Sequence, residues 1–215
     1  MDFPTISQLR KGIQKFRRYE KRDAMYKVAT RIIHDYWGKP EEVTDGLGVL
    51  LLTWNQALYR YGPFDFSKLE KFIRTRSSEL NYYRNKNILN WNKNDDAIIK
   101  IIFDELIGAL ASISKNGKLR RSPVAVSKAL HLLAPSFFPL WDNAIAKEYR
   151  CYWYNYNKAS DKYLLFFQKI LDFCKYLNRH REKDRTGKTS LKIIDEYNYA
   201  EFTLKNRNIL NFCRE

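Results

Sequence analysis

The sequence predicts an all-α protein, and three observations support this fold class. Apolar residues recur at every third or fourth position through most of the 215-residue chain, which is the spacing of amphipathic helices. Helix-start signals such as Ser122-Pro123 precede several of these stretches. No set of alternating apolar and polar segments is able to build a sheet. We therefore expect a single helical domain over residues 1–215, formed by two interleaved lobes.

In the N-terminal half, Gly and Pro signals separate the predicted helices. These helices are placed at 5–37, at 44–59 and from Asp65-Phe66-Ser67 onward. Gly38-Lys39-Pro40 and Gly62-Pro63 end the first two. Thr44 or Asp45 is the predicted cap of the second, which is apolar enough to be buried. The Asn-rich stretch 81–96 is expected to be loop or irregular helix.

In the C-terminal half, the start signals are clearer. Helices are predicted at 96–114, 124–133, 143–149, 162–177 and from Ser190 onward. Ser122 is an N-cap with Pro123 at the first helical position, and Asp142 is the N-cap of the helix that follows the apolar connection 137–141. The charged stretch 178–188 is a linker too short to require a second domain.

Charge and composition restrict the classes of protein. The chain has 39 Lys and Arg against 24 Asp and Glu, a net charge of +15, which favours a polyanionic partner, with nucleic acid ahead of a membrane surface. The 45% apolar content excludes a disordered chain, and no run of about 18 apolar residues or signal peptide is present. Three widely spaced cysteines, Cys151, Cys174 and Cys213, indicate reduced thiols and a cytoplasmic protein.

The stretch 122–149 holds the best candidates for chemistry. Lys128 lies on a short, strongly apolar helix, and an amine that loses its proton in such surroundings is a nucleophile suited to Schiff-base formation. Asp142 precedes a helix, whose free N–H groups stabilise a carboxylate. Together the two groups could cleave a C–N bond to a sugar, with the amine attacking the anomeric carbon and the carboxylate stabilising positive charge. The alternative is that Lys128 extends its ammonium to solvent and Asp142 is only a cap.

A family resemblance rests on two motifs in this stretch. Pro123-Val-Ala-Val-Ser-Lys128-Ala resembles the Pro-Gly-Val-Gly-x-Lys-Thr-Ala pattern of the helix-hairpin-helix DNA glycosylases, which include endonuclease III and the 8-oxoguanine glycosylases. Trp141-Asp142-Asn143 and the residues after it resemble the Val-Asp-Thr-His segment that follows in that superfamily. The resemblance implies that Lys128 is the nucleophile of a glycosylase/lyase, that Asp142 is the essential aspartate, and that 118–149 is the helix-hairpin-helix segment.

The same resemblance places Leu51–Arg60 on the helix whose start supplies polar residues to the gap left by a flipped base. Asn55 or Gln56 is then the candidate wedge. The chain departs from the family pattern where Val124 and Val126 replace the hairpin glycines, and the interval between the two motifs is shorter. The cysteine motif of the iron–sulfur cluster is missing, and no Cys, His and Asp spacing indicates a metal, so no cofactor is predicted.

Other residues complete the predicted site. The candidate DNA contacts, besides the wedge residues, are Arg60, Arg120, Arg121 and Ser127. The candidate lining of a base pocket consists of Trp54, Trp141, His131, Tyr152 and Trp153. Aromatic residues of this kind are equally typical of a packed corner between helices, and a histidine such as His131 is more often a core residue than a general base.

We therefore expect a monomeric DNA glycosylase with AP-lyase activity that excises a damaged or modified base from duplex DNA. The base could be an oxidised purine, a damaged pyrimidine or a bulky modified base, and the role could be DNA repair or defence against modified phage DNA. One alternative is a non-catalytic helical DNA- or RNA-binding protein that uses Lys128 only to contact phosphate. A protein-interaction module would also explain the aromatic residues, but it leaves the charge unexplained.

Overall fold

The computed structural model describes residues 3–180 and 187–205. Its α-helices are α1 (Ile6–Tyr19), α2 (Ala24–Asp35), α3 (Pro40–Trp54), α4 (Gln56–Tyr59), α5 (Phe66–Thr75), α6 (Ser77–Arg84), α7 (Asp95–Ala109), α8 (Pro123–Leu133), α9 (Asn143–Glu148), α10 (Ala159–Arg179) and α11 (Ser190–Asn198). A π-helical segment, Tyr199–Leu204, continues α11, and short 3-10 turns lie at Ile88–Asn90 and Tyr156–Lys158. Helices account for 70% of the residues and strands for 2%, which confirms the predicted all-α class.

A short β-hairpin, which the sequence analysis did not expect, joins α7 to α8. Its strands, β1 (Ser112–Ile113) and β2 (Leu119–Arg120), pair antiparallel with Ile113 opposite Leu119. Two residues per strand are too few to show a period-2 pattern in the sequence. The statement that no sheet forms is therefore wrong at this one connection.

Two of the predicted caps, Ser122 and Asp142, are confirmed, and so is the predicted helix start at Asp65. Asp65 accepts hydrogen bonds from Ser67 and Lys68 at the start of α5, and Ser122 accepts one from Ala125 N at 3.1 Å. These caps were predictable because each depends on a contact within three residues.

The first helix boundaries differ from those predicted. The stretch expected to be one helix over 5–37 is broken between α1 and α2, where Asp23 takes a left-handed conformation with φ of 46°. The second predicted helix begins at Pro40 rather than at Thr44 or Asp45, because Pro40 occupies the first helical position directly after the break. It also ends at Trp54, so Leu51–Arg60 is not one helix: α3 stops and the four-residue α4 follows.

Later boundaries also differ. Helix α7 ends at Ala109 rather than at residue 114, because the chain turns into β1 at Ser112. Residues 81–96, expected to be loop or irregular helix, include the end of α6, a 3-10 turn and the start of α7. Helix α10 extends beyond the predicted 162–177 at both ends, and α11 begins at Ser190 as predicted.

Buried apolar side chains from α1 to α11 form one continuous core. Helix α3 packs against α2, α5 and α8, and it approaches α2 closely because Gly46 has no Cβ to collide with Ile32. Helix α8 lies inside the core, and only Val124 and Lys128 among its residues are partly exposed. These two residues are four positions apart and share one face. Helix α8 is therefore accessible to solvent only along the narrow face that carries Val124 and Lys128.

The cysteines that the structure describes are reduced thiols. Cys151 and Cys174 are buried and form no disulfide, whereas Cys213 and linker residues 181–186 lie outside the described residues. Among the helices of residues 3–180 and 187–205, none has the length and apolar character needed to cross a membrane.

Candidate active site

The exposed face of α8 borders a cavity of about 920 Å³. The walls come from elements far apart in the sequence: the α1–α2 junction, the α3–α4 junction, β2 with α8, the segment before α9, residues 152–156, α11 and the π-helical segment. The cavity collects both predicted catalytic residues, Lys128 and Asp142, on its wall. The fold thus brings the two candidate residues to one cavity.

Lys128 is anchored at the end of α3. Its Nζ donates hydrogen bonds to the carbonyl oxygen of Trp54 at 3.2 Å and to Oδ1 of Asn55 at 3.1 Å, and it lies 5.4 Å from the centre of the Trp54 ring. The last carbonyls of a helix carry partial negative charge, so this position attracts a cation. The contacts hold the amine in a defined direction beside the cavity.

Asp142 is fixed by two different partners. Its Oδ1 accepts a hydrogen bond from the backbone N–H of Ile145 at 2.9 Å, and Oδ2 accepts one from the Thr203 hydroxyl at 2.5 Å. The first contact is the predicted N-cap of α9. The second comes from the π-helical segment, and no pattern in the sequence connects that segment with Asp142. Both oxygens are thus oriented before any ligand binds.

Ser127 and Trp141, the neighbours of the two candidate residues, join their segments. The Ser127 hydroxyl donates to the carbonyl oxygen of Trp141 at 3.1 Å, and the Trp141 indole N–H donates to the carbonyl oxygen of Pro123 at 3.2 Å. These buried contacts set the segment that carries Asp142 against α8. Ser127 is completely buried, so its predicted role as a DNA contact is wrong. Ser127 instead holds the segment that carries Asp142 against α8.

A second group of charged residues, which sequence reasoning missed, borders the same cavity. Lys192 on α11 is only 3% exposed, and its Nζ lies 3.2 Å from Oδ2 of Asp195 and 3.6 Å from Oδ2 of Asp23. Burial opposes the charge on Lys192, but Asp195, Asp23 and Glu196 outweigh it and raise its pKa. The ammonium also faces the rings of Tyr26 and Phe16, at 4.5 and 4.9 Å.

Asp195 connects this group to Asp142. Burial raises the pKa of Asp195, Lys192 lowers it in part, and the negative charge of Asp142 raises it further. The two carboxylates, which both line the cavity, therefore repel each other electrostatically. The i, i+3 spacing of Lys192 and Asp195 was visible in the sequence, but it is common on exposed helices and gave no sign of burial.

The cavity walls carry opposite charge. The side formed by β2 and α8 contributes Arg120, Arg121 and Lys128, and the side formed by α1, its junction with α2 and α11 contributes Glu20, Asp23 and Asp195 with Lys192. A phosphodiester is favoured next to the first side, and a group rich in N–H donors is favoured next to the second. The arrangement can orient a ligand that carries an anionic group at one end and N–H donors at the other.

The predicted aromatic residues differ in how far they are exposed to the cavity. Trp54 and Tyr152 are partly exposed on the cavity wall, whereas Trp141 and Trp153 border it but are largely buried. Trp54 stacks nearly parallel on Tyr26, and Tyr152 stacks on Trp153 with ring centres 4.9 Å apart. The wall also includes Tyr156, from the same aromatic run as Tyr152, and Phe16, Tyr19 and Tyr199, which were not predicted.

The predicted DNA contacts also differ in their exposure and in their hydrogen-bond partners. Asn55 holds Lys128 through its side-chain oxygen, and its buried Nδ2 has no hydrogen-bond partner within the part of the chain that the structure describes. Gln56 is exposed at the cavity wall, whereas Arg60 is exposed outside the cavity lining. Arg120 donates to the carbonyl oxygen of Leu58 at 3.1 Å, and Arg121 is exposed at the wall.

His131 is not a pocket residue, so that prediction is wrong. The side chain is completely buried on the core side of α8, because only the face with Val124 and Lys128 reaches the cavity. Its Nδ1 pairs with the carbonyl oxygen of Phe138 at 2.8 Å and its Nε2 with the Tyr26 hydroxyl at 3.0 Å. The carbonyl can only accept, so Nδ1 carries the proton and Nε2 accepts from Tyr26.

This histidine should make stability depend on pH. Burial lowers the pKa of His131 to about 3, so the ring is neutral in the folded protein, whereas the unfolded chain takes up a proton below about pH 6.5. Its stabilisation is present above pH 6.5 and is lost as the pH falls toward 3. We expect the advantage of the wild type over His131→Gln in free energy of unfolding to shrink by about 2 kcal/mol between pH 7 and pH 5. Urea unfolding at both values measures it, and a difference that is constant with pH would contradict the assignment.

Within residues 3–180 and 187–205, no group of three or more His, Cys, Asp or Glu side chains is arranged to hold a metal ion. Comparison of the chain with protein-family models, with curated proteins and with solved structures finds no match.

Proposed function

We propose that the protein is a DNA glycosylase with AP-lyase activity and a divergent helix-hairpin-helix architecture. The observation that carries the proposal is the shared cavity of Lys128 and Asp142: an oriented amine and a doubly hydrogen-bonded carboxylate, joined through Ser127 and Trp141. The net charge of +15 supports DNA as the partner. In this proposal the helix-hairpin-helix segment is residues 118–149, which include β2, α8 and α9. Val124 and Val126, which replace the hairpin glycines, already belong to α8.

The chemistry assigned to Lys128 proceeds in two stages. Its neutral amine attacks C1′ of a flipped nucleotide, and the C1′–N bond breaks with its electron pair leaving on the base, which takes up a proton. The nitrogen loses its protons, O4′ gains one as the sugar ring opens, and a C=N bond joins Lys128 to C1′. Loss of a C2′ proton then breaks the C3′–O bond and releases the 3′ phosphate. Asp142 stabilises the positive charge that develops on the sugar in the first stage.

The opposite charges of the walls suggest how the nucleotide lies. Its phosphates would face Arg120 and Arg121, and its base would face Asp23 and Asp195 with N–H donors toward the carboxylates. The unpartnered Nδ2 of Asn55 supplies a donor near Lys128 for the sugar or a phosphate. An oxidised purine, a damaged pyrimidine and a bulky modified base all offer such donors, so both repair and defence against modified phage DNA remain within the proposal.

Borohydride trapping tests the proposal directly. Hydride reduces the C=N bond to a stable secondary amine, so protein and DNA become covalently linked only if an imine forms. The wild type is incubated with duplexes that carry oxidised purines, damaged pyrimidines, bulky modified bases or an abasic site. A trapped species on at least one lesion supports the proposal. Absence of trapping across the panel, together with no base release, would reject it.

The second candidate function is a non-catalytic DNA- or RNA-binding protein. It is favoured by one observation: Lys128 binds the carbonyl end of α3, which is a common structural position for a lysine. In that case the protein binds duplex DNA as expected from its charge, but the wild type gives neither imine nor base release.

Affinity for duplex DNA should fall steeply with salt in either case. Each neutralised phosphate releases counterion and contributes roughly −0.9 to the slope of log K against log salt. Arg121→Gln should make the slope shallower by about one contact, because Arg121 is exposed at the cavity entrance. Lys175→Gln, on α10 and paired with Asp172, is the matched control and should leave the slope unchanged. A flat salt response of the wild type would exclude nucleic acid as the partner.

A further inference from the structure

The turn of the β-hairpin between α7 and α8 is held by several hydrogen bonds. They run from Ser114 N to Lys118 O at 2.8 Å, from Gly117 N to Ser114 O at 2.9 Å and from Lys118 N to Ser114 Oγ at 3.1 Å. Gly117 has φ of 73°, a left-handed conformation that glycine adopts without strain. The tip is therefore preorganised although each strand has only two residues.

Two aliphatic side chains of this hairpin are in solvent. Ile113 is 61% exposed and Leu119 is 59% exposed, and they are direct cross-strand partners, so they lie on the same face. Tyr61, on the loop after α4, is 59% exposed and lines a groove together with both of them. Neither Ile113 nor Leu119 belongs to the hydrophobic core, and adjoining exposed apolar side chains of this kind are typical of a contact surface.

The surroundings of the pair are strongly cationic. Residues 111–128 contain Lys115, Lys118, Arg120, Arg121 and Lys128 and neither Asp nor Glu. Asp65, which also lines the groove, caps α5 and pairs with Lys68 at 3.8 Å. An aliphatic pair beside a cationic turn resembles the apolar wedges that proteins insert between base steps while basic side chains hold the phosphates.

The hairpin also stands between the groove and the candidate active site. Leu119 and Arg121 line both spaces, so a strand held in the groove passes directly to the cavity that holds Lys128. Gln56 can reach this passage from the cavity side, whereas Asn55 is engaged in holding Lys128.

We infer that the Ile113–Leu119 pair is a DNA wedge that enters the duplex beside the flipped nucleotide, a role that the sequence analysis gave to Asn55 or Gln56. The inference rests on the proposed function in one respect, that the ligand is duplex DNA. The pair would separate the nucleotide next to the target from its stacking neighbour, and the surrounding lysines and arginines would hold the backbone on either side.

The test uses a duplex that cannot react. It carries a tetrahydrofuran abasic analogue with 2-aminopurine as the adjacent base, whose fluorescence rises when it is unstacked. We expect the wild type to increase the fluorescence several-fold at saturation. Ile113→Ser with Leu119→Ser should remove most of this increase, while affinity falls by less than about tenfold because the cations remain. Val49→Ser is the matched control: Val49 is 62% exposed on α3, outside both linings, and should behave like the wild type.

The outcomes separate the wedge from the catalytic proposal. A double variant that keeps the full increase, or a wild type that binds without any increase, would overturn the wedge. Loss of the increase in a double variant whose parent never forms a borohydride-trapped product would support the wedge and reject the lyase. A wild type that ignores the duplex but binds anionic phosphatidylserine vesicles through the same two side chains would make the hairpin a membrane contact and overturn the inference.

Discussion

Lys128→Gln should abolish both the borohydride-trapped protein–DNA product and strand cleavage, while affinity for duplex DNA changes by less than about tenfold. Glutamine has no amine that can form a C=N bond, so the expected loss of trapping is complete. Its side-chain amide can still donate to the carbonyl oxygen of Trp54, so the end of α3 keeps a partner. Gel analysis of trapped product and of the cleaved strand measures both activities on the most reactive lesion of the panel.

Two control variants separate chemistry from charge. Lys128→Arg keeps a cation and donors for Trp54 and Asn55 but not a reactive amine, so it should bind DNA like the wild type and give no trapped product. Lys147→Gln removes a different lysine, one that lies 5.1 Å from the centre of the Tyr152 ring, and should trap normally. Full trapping by Lys128→Arg would assign the imine to another amine, for which Lys192 on the cavity wall is a candidate.

The fold was predictable where it depends on neighbouring residues. Ser122 and Asp65 start helices through contacts two or three residues away, so the residue types alone indicate them. The break between α1 and α2 is different. Asp23 is held in its left-handed conformation beside Lys188 and Lys192, which belong to the other end of the chain. No local pattern carries that information.

The candidate site likewise contains residues that local sequence predicts and residues that it does not. Lys128 and Asp142 could be proposed from the sequence because they lie close together in it, within one recognisable pattern. The acidic side of the cavity was missed because Asp23 and Asp195 meet only after the two ends of the chain pack together. His131 was misplaced because a residue three positions from Lys128 can face either the cavity or the core, and the spacing does not distinguish the two.

Asp142→Asn should leave the fold nearly unchanged and slow base release by about 10²–10³ or more. Asparagine caps a helix about as well as aspartate, so its side-chain oxygen can still accept from the N–H of Ile145. Its amide group can donate to the Thr203 hydroxyl, which now accepts instead of donating. The variant therefore keeps both contacts of Asp142 but loses the negative charge that would stabilise the sugar cation.

Single-turnover base excision and melting temperature should be measured side by side for this variant. Asp65→Asn is the matched control, since Asp65 is also an N-cap aspartate but lies outside the cavity that holds Lys128. Asp65 lines the neighbouring groove, so the protein is used in saturating excess, where a change in DNA affinity does not alter the single-turnover rate. Asp65→Asn should excise at the wild-type rate, because it changes the same cap chemistry at a distance from the reaction. Asp142→Ala should cost about 0.5–2 kcal/mol of stability through loss of the cap, which separates the structural part from the catalytic part. Wild-type excision by a normally folded Asp142→Asn would leave Asp142 as a helix cap only, and the proposed mechanism would then lack the carboxylate that it requires.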